Sequence, residues 1–225
     1  MKKITIYHGS SKIIEHPQYG AGKLYNDYGK GFYCTEHIEL AKEWACNEGV
    51  DGFANRYELD LTNLEIMNLF DDKYSILNWL AILMENRISR LSTPIEKQGR
   101  EYLLKHFLPD YKAYDVILGY RADDSYFSFV RAFVGNGISL KQLGRAMHLG
   151  KLGRQYAIMS EKAFNQIQFT GYEIADNSQY YPKRKSRDEA ARDAFMKELE
   201  ADDIEGIYMR DIIREKMEAF DERLQ

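Results

Sequence analysis

Three short segments of this 225-residue chain carry residue types that can hold a planar ring and hydroxyl groups. The first is Tyr7-His8-Gly9-Ser10. The second is Asp27-Tyr28-Gly29-Lys30-Gly31-Phe32-Tyr33-Cys34-Thr35. The third is Gln155-Tyr156-Ala157-Ile158-Met159-Ser160-Glu161-Lys162-Ala163. His8 can hydrogen-bond a hydroxyl. Gly9 has no Cβ, so the main chain can approach a planar amide and pair with it through N–H and C=O. Tyr33 can stack on a flat ring. Gly29 and Gly31 allow loop conformations that other residues resist. Gln155 can hydrogen-bond a hydroxyl, but it offers no charge and cannot act as a general base. Singly each segment is weak. His-Gly-Ser can be a strand-ending turn, Gly-Lys-Gly-Phe-Tyr an ordinary glycine loop, and Gln155 a sheet-edge residue. Their order, and their placement on separate strands, gives them joint weight.

Order and context together resemble the diphtheria-toxin-like branch of the ADP-ribosyltransferases, which carries a His, Tyr and Glu triad on three strands. Within that superfamily the chain resembles the DUF3990 family. That likeness extends to Asn78-Trp79-Leu80 through Asn86-Arg87 and to Asp115-Val116-Ile117-Leu118-Gly119 through Asp123-Asp124. It runs from about residue 4 to about residue 170 and leaves the rest unexplained.

The resemblance implies an α+β fold: an ADP-ribosyltransferase-like split β-sheet core with a helical insertion and a C-terminal helical tail. It implies NAD⁺ as substrate, cleavage of the nicotinamide–ribose bond, and transfer of a single ADP-ribose to a protein or nucleic-acid acceptor. It also implies the toxin of a bacterial toxin–antitoxin or defence pair, with an antitoxin protein as partner. Catalysis then falls to His8, Tyr33 and Gln155, and NAD⁺ binding to His8, Gly9, Ser10, Gly31, Phe32 and Tyr33. Cleaving that bond builds positive charge on the ribose C1′ and O4′, as in glycoside hydrolysis. In these roles His8 bonds a ribose hydroxyl, Gly9 meets the carboxamide, and Tyr33 stacks on the nicotinamide.

Gln155 departs from the family pattern, which has glutamate there. By resemblance this points to single transfers rather than polymer synthesis. Negative charge could come instead from Glu161, Glu173, Asp123, Asp124 or an acidic acceptor. Three other readings stay open. One is an NAD glycohydrolase with water as acceptor. Another is an inactive NAD- or ADP-ribose-binding module. The last makes the tail a docking element, with Met209, Ile213 and Met217 covered by an antitoxin or packed on the chain's own core.

The elements that must position these groups follow from periodicity. Lys3–Tyr7 alternates and is β-branched, so it reads as a strand ending at His8-Gly9-Ser10. Residues 10–26 hold Pro17, Gly20 and Gly22 and read as loop. Gly31–Thr35 is a short strand. Thr35 is expected to cap a helix that buries Ile38, Ala41, Trp44 and Ala45. Asn55–Leu61 reads as a strand with Tyr57 and Leu59 on one face. Tyr74–Arg90 is helical, Pro94 opens a helix toward Phe107, and Tyr114–Gly119 is a strand. Ser125–Val134 is a helix, and Ser139 with Gln142 forms a capping box stapled by Ile138 and Leu143. Arg154–Met159, Asn165–Phe169 and Gly171–Ala175 are three strands, the first two joined by a helical turn at Glu161–Phe164.

After Pro182 the composition becomes highly charged. The chain divides into residues 1–182 and an extension, 183–225, whose first helix is expected to open at a Ser186/Glu189 capping box. A second helix carries Met209, Ile213, Met217 and Phe220 on one side.

The net charge of −4 and pI near 5.8 argue against a strongly basic nucleic-acid surface overall. Cys34 and Cys46 make neither a disulfide framework nor a zinc pattern. No apolar run is long enough for a membrane span, so a cytoplasmic, membrane-free protein is expected. Ala21-Gly22-Lys23 lacks phosphate-loop spacing. Lys183-Arg184-Lys185 could touch phosphate, although a solvated hinge is the simpler reading. His16, His37, His106 and His148 read as scattered, exposed or helix-end residues.

Overall fold

The computed structural model describes residues 2–87, 91–122, 124–201 and 203–224. Seven strands form one mixed sheet: β1 (Lys3–Ser10), β2 (Phe32–Thr35), β3 (Gly52–Asp60), β4 (Ile66–Asn68), β5 (Val116–Gly119), β6 (Gln155–Ile158) and β7 (Ile167–Ala175). Their order is β4-β5-β6-β2-β1-β3-β7, and every neighbouring pair is antiparallel except the parallel pair β4/β5. The joint between β1 and β2 is the thinnest. They share one pair of facing residues, Tyr7 and Thr35, whereas β1 and β3 share eight. A cleft is lined from both sides of this joint, by His8 and Gly9 of β1 and by Phe32 and Tyr33 of β2.

Alternation along the strands feeds two cores. Ile117 and Ala157 face the larger core, built with helices α2 (Ile76–Asn86), α3 (Pro94–His106), α4 (Asp124–Val134) and α5 (Leu140–Ala146). Ile6, Cys34, Tyr57, Leu59, Val116 and Ile158 face the smaller one, where Phe32 and Phe164 also pack. Tyr57 and Leu59 share this face, as their spacing predicts. Helix α2 is buried from Leu77 to Met84 without a break, so it is apolar all round rather than striped. Asn78 survives inside it because its Oδ1 accepts from Ser75 N–H at 2.8 Å and its Nδ2 donates to the Phe107 carbonyl at 2.8 Å.

Local signals held where they stood alone. Pro94 opens α3 behind a Thr93/Glu96 box. Ser139 and Gln142 exchange both bonds of the expected box, with Ile138 and Leu143 fully buried. The short helix α6 (Glu161–Phe164) joins β6 to β7.

Several expectations need correction. Helix α1 (Ile38–Ala45) is capped at His37, and Thr35 Oγ1 instead accepts the His37 N–H at 3.2 Å. Its buried face is Leu40, Ala41, Glu43 and Ala45, so Trp44 turns partly outward. The two strands expected at 165–175 are one, broken only by a bulge. Tyr57 faces Phe169 and Arg56 faces Gly171, which leaves Thr170 unpaired and Gly171 at φ +132°.

Helix α7 (Asn177–Glu200) opens at Asp176, whose side chain accepts from Ser178 N–H, and not at Ser186. Pro182 lies inside it, and the change in composition at that residue therefore falls within one helix. A proline near a helix start removes few backbone bonds, and burial of Tyr180, Ala191 and Phe195 holds the rest. Helix α8 (Met209–Arg214) and the residues after it bury Met209, Ile212, Met217 and Leu224 in the larger core, while Phe220 is 86% exposed. Ile213 is half-buried, so the expected single apolar side is not continuous. Among the described residues no helix is long and apolar enough to cross a membrane.

Candidate active site

At the joint between β1 and β2 a cleft of about 950 Å³ opens. His8, Gly9, Gly31, Phe32, Tyr33 and Gln155 all line it. Thr35 faces Tyr7 on one side and Gln155 on the other, so the three strands that carry the expected triad are adjacent.

His8 substitutes for the missing ladder. Its Nδ1 lies 2.7 Å from the Tyr33 carbonyl, so Nδ1 carries the proton and Nε2 of the neutral ring is left as an acceptor. The imidazole packs on Phe32 with ring centres 4.3 Å apart. Burial disfavours the imidazolium and outweighs the carbonyl's help, and the Arg121 charge pushes the same way, so the ring titrates below its ordinary 6.5. An NMR titration of the His8 ring is therefore expected to show a midpoint below pH 6.5. Because the unfolded ring binds its proton first, the ring's contribution to stability is present above that value and is lost as pH falls. A midpoint at or above the ordinary value would reject the buried, carbonyl-bonded ring.

Tyr33 is fixed by the loop before it. Its hydroxyl donates to the Gly29 carbonyl at 2.5 Å and accepts from Tyr28 N–H at 3.2 Å. Burial raises its pKa well above the usual phenol value, so it remains a donor. Gly29 sits at φ +86°, where a side chain is strained, and an added Cβ would lie 2.7 Å from Asn86 Oδ1. Tyr28 is fully buried behind Tyr33 and donates to the Tyr120 carbonyl at 2.5 Å. The Tyr33 ring, backed by Tyr28 with centres 6.4 Å apart, is thus a rigid wall of the cleft.

Gln155 is 4% exposed, and its Oε1 is buried with no hydrogen-bond partner among the described residues. A buried amide oxygen left without a donor is destabilising by about 1–3 kcal/mol. Gln155 also lines the cleft, so a rotation of its amide would offer this oxygen to a ligand hydroxyl or N–H.

The remaining walls are charged. Asp27, 4% exposed, faces Arg87 at 2.9 Å and accepts from Ala122 N–H at 2.8 Å. Glu43, 2% exposed, holds Arg187 through both carboxylate oxygens at 2.8 and 2.7 Å. Arg187 also donates to the Gly150 carbonyl at 2.7 Å, so it ties α7 both to α1, through Glu43, and to the turn before β6. The Arg121 guanidinium lies 3.4 Å over the Trp44 ring centre, a cation–π stack on the cleft wall.

Most of the expected site residues therefore converge. Ser10 does not: it lies outside this cleft, and its hydroxyl accepts from Lys12 N–H. Gly9 has a packing reason of its own, since a Cβ there would lie 2.1 Å from the Ala41 carbonyl of α1. Gly31 likewise fits tightly against Ile158 and Met159. Of the alternative carboxylates, Glu161 and Glu173 do not line the cleft, and Glu173 pairs with Lys42 at 2.8 Å. Asp123 and the side chain of Asp124 lie outside the described residues. Among the described residues the carboxylates that do line it are Asp27, Glu43, Glu48 and Asp188. Sequence reading placed Trp44 in a buried stripe and named Asp27 and Arg87 without pairing them, and it missed Arg121 and the Glu43–Arg187 pair. No local pattern marks them, although the odd glutamate in the apolar phase of α1 was a signal for the last.

Comparison with curated proteins and with solved structures finds no match. The sequence profile of DUF3990, described as a protein of unknown function, matches residues 4–169, about three quarters of the chain, and the protein belongs to that family.

Proposed function

We propose that this protein binds NAD⁺ in the cleft at the β1/β2 joint and transfers its ADP-ribose to an acceptor. The observation that carries the reading is the convergence of His8, Tyr33 and the unpartnered, buried Gln155 on one cavity. Its size, about 950 Å³, lies at the upper end for small-molecule sites and suits a dinucleotide better than a single ring. The single residue pair that joins β1 to β2 accords with the split sheet that the resemblance implies.

In this reading Tyr33 holds the nicotinamide flat against its ring. His8 Nε2 and Gln155 Oε1 accept from ribose hydroxyls and fix the sugar. The bond from C1′ to the nicotinamide nitrogen breaks, and nicotinamide leaves as a neutral molecule with the bonding pair. The positive charge left on C1′ and O4′ is quenched by a lone pair from the acceptor, which then loses its proton. Gln155 offers a carbonyl dipole rather than a charge to that centre, so a slow reaction is expected. The paired state of Asp27 and Glu43 favours, as a second reading, a module that binds NAD⁺ and turns it over very slowly.

The test is incubation with adenine-labelled NAD⁺, with and without cell extract, followed by separation of protein and nucleic acid. Transfer predicts nicotinamide release together with label on one macromolecular fraction. Equal release without extract favours hydrolysis, and tight binding without release favours the binding module. If His8→Ala released nicotinamide at the wild-type rate, the site assignment would be wrong.

A further inference from the structure

Helix α7 lies wholly outside the family-matched residues, yet it forms one wall of the cleft. Tyr181, Arg184, Lys185, Asp188, Ala191 and Arg192 all face the cavity, at spacings of three or four that place them on one helix face. The chain carries a net charge of −4, but the described lining of the cleft has seven lysines and arginines against four carboxylates. The site is thus locally basic in an acidic protein.

These cations are not alike. Arg187 is held by Glu43 and acts as a strut, and Arg192 is held by Asp188 at 2.8 Å. Among the described residues Arg184 makes only a long contact, 3.4 Å, to the Cys46 carbonyl. Lys185 makes no ion pair or hydrogen bond among the described residues, and neither does Lys23, which lines the cleft from the loop before β2. Both are exposed. Three cations with donors to offer therefore line the cavity that holds Gln155. A solvated hinge would turn its charges away from the cleft.

We propose that Arg184 and Lys185, with Lys23, form a diphosphate-binding subsite, so that α7 is a working part of the cleft. The ligand class is a nucleoside diphosphate or dinucleotide. A polynucleotide is disfavoured, because the chain as a whole is acidic and the basic groups are confined to this one cleft. As a dinucleotide site, this inference rests on the NAD⁺ reading; as a diphosphate site, it stands without it.

The test is calorimetric titration of the full chain at low salt with pyrophosphate, ADP-ribose and nicotinamide riboside. In the double variant R184Q/K185Q, pyrophosphate and ADP-ribose should bind about 10–100-fold more weakly, given the strength of charged hydrogen bonds. Nicotinamide riboside, which has no phosphate, should be unaffected. Lys183→Gln is the control. Lys183 pairs with Glu39, does not line the cleft, and should change nothing. Both substituted residues are exposed, so the thermal midpoint should hold. Unchanged ADP-ribose and pyrophosphate affinity in the double variant, or an equal loss for nicotinamide riboside, would overturn the proposal. Wild-type binding of pyrophosphate without ADP-ribose or nicotinamide riboside would keep the subsite and sink the NAD⁺ reading. Binding of neither pyrophosphate nor ADP-ribose would sink the subsite.

Discussion

Gln155→Met is expected to slow nicotinamide release by about 10²–10³-fold, the usual loss when one preorganised polar contact to a developing charge is removed. The same change should leave the free protein as stable or raise its stability by about 1 kcal/mol. Methionine fills nearly the volume of glutamine and brings no amide, so the orphaned oxygen on β6 disappears. Opposite movement of stability and function is the signature of a residue kept for a ligand. A structural role predicts the reverse, namely lost stability with turnover, where measurable, little changed. Melting curves and nicotinamide release on the same preparation separate the two. Gln155→Glu adds a second arm. If missing charge is what limits the wild type, glutamate should raise turnover, and turnover that stayed flat would show that charge at β6 is not limiting.

Ending the chain after Ala175 is expected to abolish cooperative folding. The lost residues bury Phe195, Met209, Ile212, Met217 and Leu224 in the larger core. At about 1.5–3 kcal/mol for each large apolar side chain, their sum is on the order of 10 kcal/mol, comparable to the whole stability of an ordinary domain. Phe195 alone stacks on Phe129 with ring centres 4.0 Å apart, and Phe195→Ala should cost about 3–5 kcal/mol. Truncation also removes Arg187 from Glu43 and uncovers the carboxylate that α7 buries. Urea unfolding followed by circular dichroism decides the matter. A soluble 1–175 fragment with the full-length midpoint would show that the extension is separable. The same burial bears on partner docking: Met209 and Met217 are covered by the chain's own core and are not free to receive another protein.

The strands, helices and caps that depend on neighbours in sequence could be read without coordinates. The Ser139/Gln142 box, Pro94 at a helix start and the alternation of β1 and β3 all arise from bonds closed within a few residues, or from a two-residue period. His8, Tyr33 and Gln155 are marked by the family resemblance of the segments that carry them, not by spacing alone. Their meeting around one cavity could not be read that way, because it depends on a strand order that sets β2 between β1 and β6. Nor could β4, whose three residues are too few to show a period. The outward turn of Trp44 toward Arg121, the grip of Glu43 on Arg187 across 144 positions, and the run of α7 through Pro182 were likewise hidden. Each is settled by which surfaces must be buried together. That is a sum over contacts distant in sequence, and no local window contains it.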